Sequence, residues 1–194
     1  EGAAVGQLRE RIGGGLGDSS PSLNDWHLAR TCPVPLLLTR RRAWSATPRI
    51  VASLDVLDTE SPELTRCVAD AAARFAVDFH GELHLMFGAP QPPSGALAAM
   101  ASQFSVPGDR VHLLAGDPVE RLPRHAADQH YDVIALGALG HRRDPAALVG
   151  SLTDAMLQFV DSDFLLLKPG TYACPAPLRT DLGGRSSSDW KSAP

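Results

Sequence analysis

A chain of 194 residues, 44% hydrophobic and 21% charged, carries enough apolar side chains for one ordinary core with extensions at its ends. Its net charge of −4 argues against a nucleic-acid binder, and no apolar run approaches the ~20 residues of a membrane helix. Three scattered cysteines, Cys32, Cys67 and Cys174, exclude a disulfide framework or a zinc cluster, and reduced thiols in a cytoplasmic protein are the simplest reading.

In chain order, residues 1–48 hold a Gly/Ser stretch from Gly13 to Ser22, a short helix from Leu23 to Thr31, and a strand from Val34 to Thr39. The first residue is Glu1 rather than Met, which fits a start inside a longer protein. Residues 49–168 then alternate. Ile50 to Leu54 reads as an apolar strand ending at Asp55, and Leu64, Cys67, Val68, Ala71, Ala72 and Phe75 recur at helical spacing after Ser61-Pro62. Leu83 to Phe87 is a second strand, and Leu97, Met100, Ala101 and Phe104 mark a second helix. Arg110 to Leu114 is a third strand. Asp117-Pro118-Val119-Glu120 starts a third helix, whose interior Pro123 predicts a kink. Tyr131 to Leu136, a helix carrying Leu152, Ala155, Met156, Phe159 and Val160, and the strand Phe164 to Leu167 complete the series. Residues 170–194 are rich in Gly, Ser and Pro and are expected to be a disordered tail.

Strands alternating with helices predict an α/β fold, a parallel sheet covered on both faces, and the near-continuous apolar strands suit burial on both sides. The segment Trp26 to Leu38 repeats the pattern of Met156 to Leu167: a helix, a polar break and an apolar strand. A repeat of this kind suggests that residues 1–40 are the end of a preceding copy of the same domain, with 41–48 as linker and 49–169 as the complete copy.

Between the fourth strand and fourth helix of that copy lies Gly137-Ala138-Leu139-Gly140, then nine residues, then Gly150-Ser151. Glycines here permit positive φ and let backbone N–H groups approach an anion. Ser151 can cap a helix whose N-terminus carries partial positive charge, a standard place for a phosphate.

The pattern Gly137-x2-Gly140-x9-Gly150-Ser151 resembles the nucleotide signature of the universal stress protein family. The likeness extends to Ile50–Asp55, to Gly116-Asp117-Pro118 and to Phe164–Lys168, and so covers about residues 49–169. Asp25-Trp26-His27-Leu28-x-Arg30-x-Cys32-Pro33 is similar to the end of the first domain in tandem members of the UspE-like type. The resemblance implies a Rossmann-like (HUP-type) five-stranded parallel sheet of order 3-2-1-4-5, with ligand at the switch point between strands 1 and 4. It implies ATP, with Mg as its companion ion, as the bound cofactor. Asp55 is carried over to the adenosine side and Gly88 to a backbone contact with adenine, where the family usually has a larger residue. Gly137, Gly140, Gly150, Ser151 and Leu152 are carried over to the phosphate loop. Within the polar insert His141–Pro145, Arg142 and Arg143 are candidate phosphate contacts through their forked donors. The resemblance also implies pairing of two domains through their closing strands, here Val34–Thr39 against Phe164–Lys168.

Plainer readings stand beside these. The glycines can form a structural turn with an ordinary helix cap. Asp55 can simply end a strand, and Arg142 and Arg143 can face solvent. His80 and His84 have a helical metal spacing, but Gly81 and the following strand break it, so no metal is expected. No Gly-x4-Gly-Lys-Ser/Thr and no Gly-x-Ser-x-Gly occurs, and Lys168 and Lys191, the only lysines, lie away from the glycines. The expectation is a binding module with no catalytic residues and at most slow ATP hydrolysis. The alternative is an interaction or scaffold domain that uses its closing strands and binds no nucleotide.

Overall fold

The computed structural model describes residues 23–32, 34–40, 42–55, 62–90, 94–138 and 151–168. In chain order the elements are α1 (Leu23–Thr31), β1 (Leu36–Leu38), β2 (Arg49–Ser53), α2 (Pro62–Asp78), β3 (Glu82–Ala89), α3 (Ser94–Gln103), a 3-10 turn (Gly108–Arg110), β4 (Val111–Ala115), α4 (Pro118–Gln129), β5 (Val133–Gly137), α5 (Ser151–Phe159) and β6 (Asp163–Leu167). The sheet runs β1-β6-β5-β2-β3-β4. Read from β4, the last five strands have the order 3-2-1-4-5 and are parallel throughout.

The sheet differs from the expected five strands in having a sixth. β1 lies antiparallel to β6, with Leu36 opposite Leu166 and Leu38 opposite Phe164. Without it β6 would present a row of unpaired backbone groups along a buried apolar strand, and β1 satisfies them. The segments Val34–Thr39 and Phe164–Lys168 therefore do lie side by side. Lys168 Nζ donates to the Cys32 carbonyl at 2.8 Å, tying the end of α1 to the end of β6.

Period-two alternation in the strands divides the core between the two faces. Ile50, Ala52, Leu85, Phe87, Val133, Ala135 and Leu165 point to one side and meet Val68, Ala69 and Ala72 of α2 and Leu97 and Ala101 of α3. Val51, Met86, Ile134, Leu136, Phe164 and Leu166 point to the other, where Leu122 and Ala126 of α4, Met156 and Leu157 of α5 and Ala29 of α1 cover them. Burial of each large side chain is worth about 1.5–3 kcal/mol, so both layers are needed to hold the sheet.

Local signals explain the helix ends. α2 and α3 both close with a left-handed residue, His80 (φ 53°) and Ser105 (φ 53°). The 6→1 bonds of that motif run from Gly81 N–H to the Ala76 carbonyl (2.8 Å) and from Val106 N–H to the Ala101 carbonyl (2.8 Å). At the start of α4, Asp117 accepts from the Val119 N–H at 3.0 Å, and Pro118 occupies the first turn where no donor is needed. The helix continues through Pro123, which is buried.

The stretch read as a linker, 41–48, is described from Arg42 onward and is held by two aspartates at the amino ends of β5 and β6. Asp132 accepts from the Ser45 N–H (3.1 Å), the Ser45 hydroxyl (2.8 Å) and the Arg49 N–H (2.9 Å). Asp163 accepts from the Arg40 N–H at 2.6 Å and from the Trp44 indole N–H at 2.8 Å. These bonds make the segment a strap across the amino edge of the sheet.

Candidate functional site

The site lies where the two halves of the sheet diverge. β2 and β5 are parallel neighbours, with Ala52 opposite Ala135. Their pairing stops there while the flanking ladders run on: Leu54 N–H donates to the Met86 carbonyl of β3 (2.9 Å), and Ala138 N–H donates to the Leu167 carbonyl of β6 (2.7 Å). The β2–β5 ladder thus ends before either flanking pairing, at the carboxyl edge where Asp55 follows β2 and Gly137 ends β5. β2 leads on to α2 on one face, and β5 leads to α5 on the other. This is the topological switch point of an open α/β sheet.

Two threonines fasten the helix starts over this edge. Thr65 of α2 donates through its hydroxyl to the Asp55 carbonyl at 2.7 Å. Thr153 of α5 donates to the Gly137 carbonyl at 2.9 Å. Each bond ties a helix start to the carboxyl end of the strand before it, and a helix N-terminus carries partial positive charge. Neither threonine was singled out from the sequence, although Thr153 sits two residues into the Ser151 helix, where a strand-to-helix clamp belongs.

The candidate residues fall into three groups. Asp55 follows β2 and Gly137 ends β5, at the carboxyl ends of neighbouring strands, and both are half-buried. Ser151 begins α5, as expected, and Leu152 beside it packs against the core layer of α4 and α5. Gly140, Arg142, Arg143 and Gly150 lie outside the described residues. Gly88 is further along, in β3 opposite Leu114 of β4. A Cβ at Gly88 would meet Leu122 Cγ at 3.1 Å and Pro118 Cα at 3.2 Å, so its missing side chain admits the first turns of α4.

One expectation about the glycines needs correction. Among the described residues the glycine with positive φ is Gly116 (122°), not Gly137. Gly137 is small for a steric reason: a Cβ there would lie 2.9 Å from Leu64 Cδ2 of α2. Because the obstacle is the end of a flexible side chain, Gly137→Ala is expected to fold normally with a loss of only about 1 kcal/mol, read as a small shift of the urea midpoint. A loss above about 3 kcal/mol would mean that Leu64 cannot yield.

No group of three or more His, Cys, Asp or Glu side chains among the described residues is arranged to hold a metal ion. His80 caps α2 and His84 is buried in β3, so their helical spacing has no structural counterpart. No helix among the described residues is long and apolar enough to cross a membrane.

With this geometry in hand, the relatives are informative. The family model described as the universal stress protein family matches residues 95–168, from α3 to the end of β6. The curated universal stress protein E homolog of Haemophilus influenzae is 24% identical over 171 residues, 75% of this chain and 55% of that one. Universal stress protein E of Escherichia coli K12 is 22% identical over 183 residues, 79% of this chain and 57% of that one. The chain therefore spans a little over half the length of these curated relatives. Among solved structures, a Pseudomonas aeruginosa protein described as a candidate universal stress protein shares the fold at TM-score 0.65, with 23% identity over 84% of this chain and 66% of that one. A universal stress protein of Archaeoglobus fulgidus does so at TM-score 0.60, with 16% identity, 74% of this chain and 52% of that one. The glycine motif, the sheet order, the matched model and these relatives point the same way: residues 95–168 match the universal stress protein family, and the chain resembles its members in sequence and in fold.

Proposed function

We propose that this chain is a nucleotide-binding stress-response module that holds ATP, with Mg as its counter-ion, at the switch point between β2 and β5. The observation that carries the proposal is the early end of the β2–β5 ladder at the carboxyl edge of the sheet, with the starts of α2 and α5 both fastened there. Asp55 takes the adenosine side, with Gly88 as a further backbone contact toward the adenine. Gly137, Gly140, Gly150, Ser151 and Leu152 form the phosphate loop, flanked by Arg142 and Arg143. The helix N-terminus at Ser151 supplies the partial positive charge that a phosphate tail requires. The sequence carries no evident signature of a base that activates water, so the reading is binding with at most slow hydrolysis, and its output is a change of conformation or partner. The three scattered cysteines are consistent with a cytoplasmic setting.

The experiment is a fluorescent-ATP titration of the wild type and of Gly140→Trp. An indole in the loop is expected to weaken binding at least tenfold while the far-UV spectrum stays unchanged. Equal binding by the two proteins would remove the loop from the site. Nucleotide released from freshly purified protein gives a second readout: bound ATP supports the proposal, and rapid conversion to ADP would make the protein a hydrolase.

A second reading is favoured by a specific observation, the antiparallel β1–β6 pair. Val34 and Leu37, at 58% and 38% exposure, leave an apolar rim beside the outer edge of β1. In this reading residues 1–40 are the last helix and strand of a preceding universal stress domain, and the chain acts by pairing closing strands. Purified protein with no bound nucleotide, together with concentration-dependent self-association, would favour it.

A further inference from the structure

At the opposite end of the sheet from the candidate site, four ring side chains that the proposed function does not use are stacked between the sheet and α4. His84 of β3 and His112 of β4 lie nearly parallel (11°) with ring centroids 5.6 Å apart, and His84 Nδ1 is 3.3 Å from His112 Nε2. The His125 ring of α4 is 4.7 Å from that of His112, and its Nε2 is 3.3 Å from the Tyr131 hydroxyl. Arg49 of β2 lies over the Tyr131 ring at 5.1 Å and donates to the Gln129 carbonyl at 2.6 Å, at the end of α4. His84 is 4% exposed, and its Nε2 has no hydrogen-bond partner; the Glu82 carboxylate, at 3.8 Å, is just out of reach.

We propose that the His84–His112–His125–Tyr131 cluster is an acid-sensing device, in which proton uptake breaks the imidazole contacts and loosens α4 from the sheet. A neutral imidazole offers one donor and one acceptor, and these contacts use both kinds. A proton taken up at whichever nitrogen accepts in the His84–His112 contact leaves two N–H donors facing each other. It also puts a cation near Arg49 in a half-buried site.

The groups around the cluster determine the direction. Burial pushes His84 down to about 4, reinforced by Arg49, His112 and Arg110 and opposed by Asp109. Burial likewise lowers His125 to about 4, with His112 and Arg49 adding to it and Asp128 opposing. His112 is lowered by burial and then by Arg49, against Asp109. Tyr131 is raised to about 12 by burial, with Arg49 opposing, and stays a neutral hydroxyl throughout. Glu82, the remaining carboxylate near His84, is held by Arg110 at 2.7 Å.

The folded state thus binds these protons more weakly than the unfolded chain, whose histidines titrate near 6.5. Stability from the neutral cluster is complete above pH 6.5 and is lost as the pH falls toward about 4. α4 is the element that responds because it contributes His125 and ends where Arg49 grips Gln129. Its other end packs on Gly88, so the motion would reach the far side of the sheet.

The test is amide hydrogen exchange followed by NMR between pH 7 and pH 4.5, on wild type and on His112→Gln/His125→Phe, without nucleotide. In the wild type, protection factors in α4 should fall about tenfold per pH unit for each proton taken up on opening, while those in α2 hold. The double variant, which keeps only His84 of the three imidazoles, should retain no more than one proton's share of that pH dependence. Loss of protection in α2 and α4 together, or an unchanged slope in the variant, would overturn the proposal. Imidazole resonances of the wild type provide the check if the variant does not fold. Rings that stay neutral to below pH 5 support the device, and rings that titrate near 6.5 sink it. Stoichiometric perturbation of the same resonances by Zn²⁺ would make the cluster a metal site and overturn the proton reading.

Discussion

Gly81→Ala is expected to destabilise the protein by about 3 kcal/mol or more, enough to leave a marginal domain largely unfolded. An added Cβ would lie 2.4 Å from the Pro48 carbonyl oxygen and 2.4 Å from Ile50 Cδ1. Neither neighbour can retreat. The Pro48 carbonyl already accepts the Glu82 N–H at 2.7 Å, the contact that sets β3 beside β2, and Ile50 is fully buried in the core under α2. Gly81 also supplies the N–H of the closing bond of α2 to Ala76, so moving its backbone disturbs the helix end as well. The cost is therefore paid in strand pairing, core packing and a helix cap together. Urea unfolding followed by far-UV circular dichroism would measure it. A midpoint shift equivalent to less than 1 kcal/mol would mean that the β2–β3 junction relaxes in a way this geometry does not suggest.

That contrast with Gly137 shows what could and could not be read in the amino-acid sequence. Gly137 stood out because a spaced pattern follows it, yet its steric obstacle is one movable leucine tip. Gly81 drew notice only for interrupting a histidine spacing, because the carbonyl it must avoid belongs to Pro48, distant in sequence. Spacing along the chain reports on neighbours within an element or a turn, and close approach between elements leaves no such trace.

The same limit applies elsewhere. The two-face division of the core was legible, since apolar alternation in Ile50–Leu54 and helical recurrence in Leu64–Phe75 are local properties. The order 3-2-1-4-5 came from the family resemblance, as nothing in the strands names their partners. The four-ring cluster was invisible, because its members come from β3, β4, α4 and the start of β5. At the switch point, the motif indicated β5 and α5, whereas the clamps Thr65 and Thr153 appear only when hydroxyl meets carbonyl.

Asp132→Ala should cost about 3–5 kcal/mol, the range for removing one partner from a buried charged network. Its carboxylate gathers the Ser45 N–H and hydroxyl and the Arg49 N–H, with the Arg42 guanidinium at 3.4 Å. Arg42 additionally donates to the Tyr131 carbonyl at 3.1 Å, so the strap and the start of β5 are fixed as one unit. Burial alone would push the Asp132 carboxyl up, but the Arg49 and Ser45 hydrogen bonds and the charge of Arg42 outweigh it and hold it below the usual 3.8. The sign follows: the carboxylate contributes stability above pH 3.8 and loses it as the pH falls through its lowered folded value. This window lies below that of the histidine cluster, so the two contributions separate on the pH axis. Asp132→Asn, which keeps one acceptor oxygen and loses the charge, should recover part of the loss and abolish the acid limb below pH 4. If both variants match the wild type in urea at pH 7, the strap is decoration. If Asp132→Ala alone unfolds early and also frees the strap from Arg42 to Pro48 to proteolysis, then the segment read as a linker is what fixes β1 and α1 against the sheet.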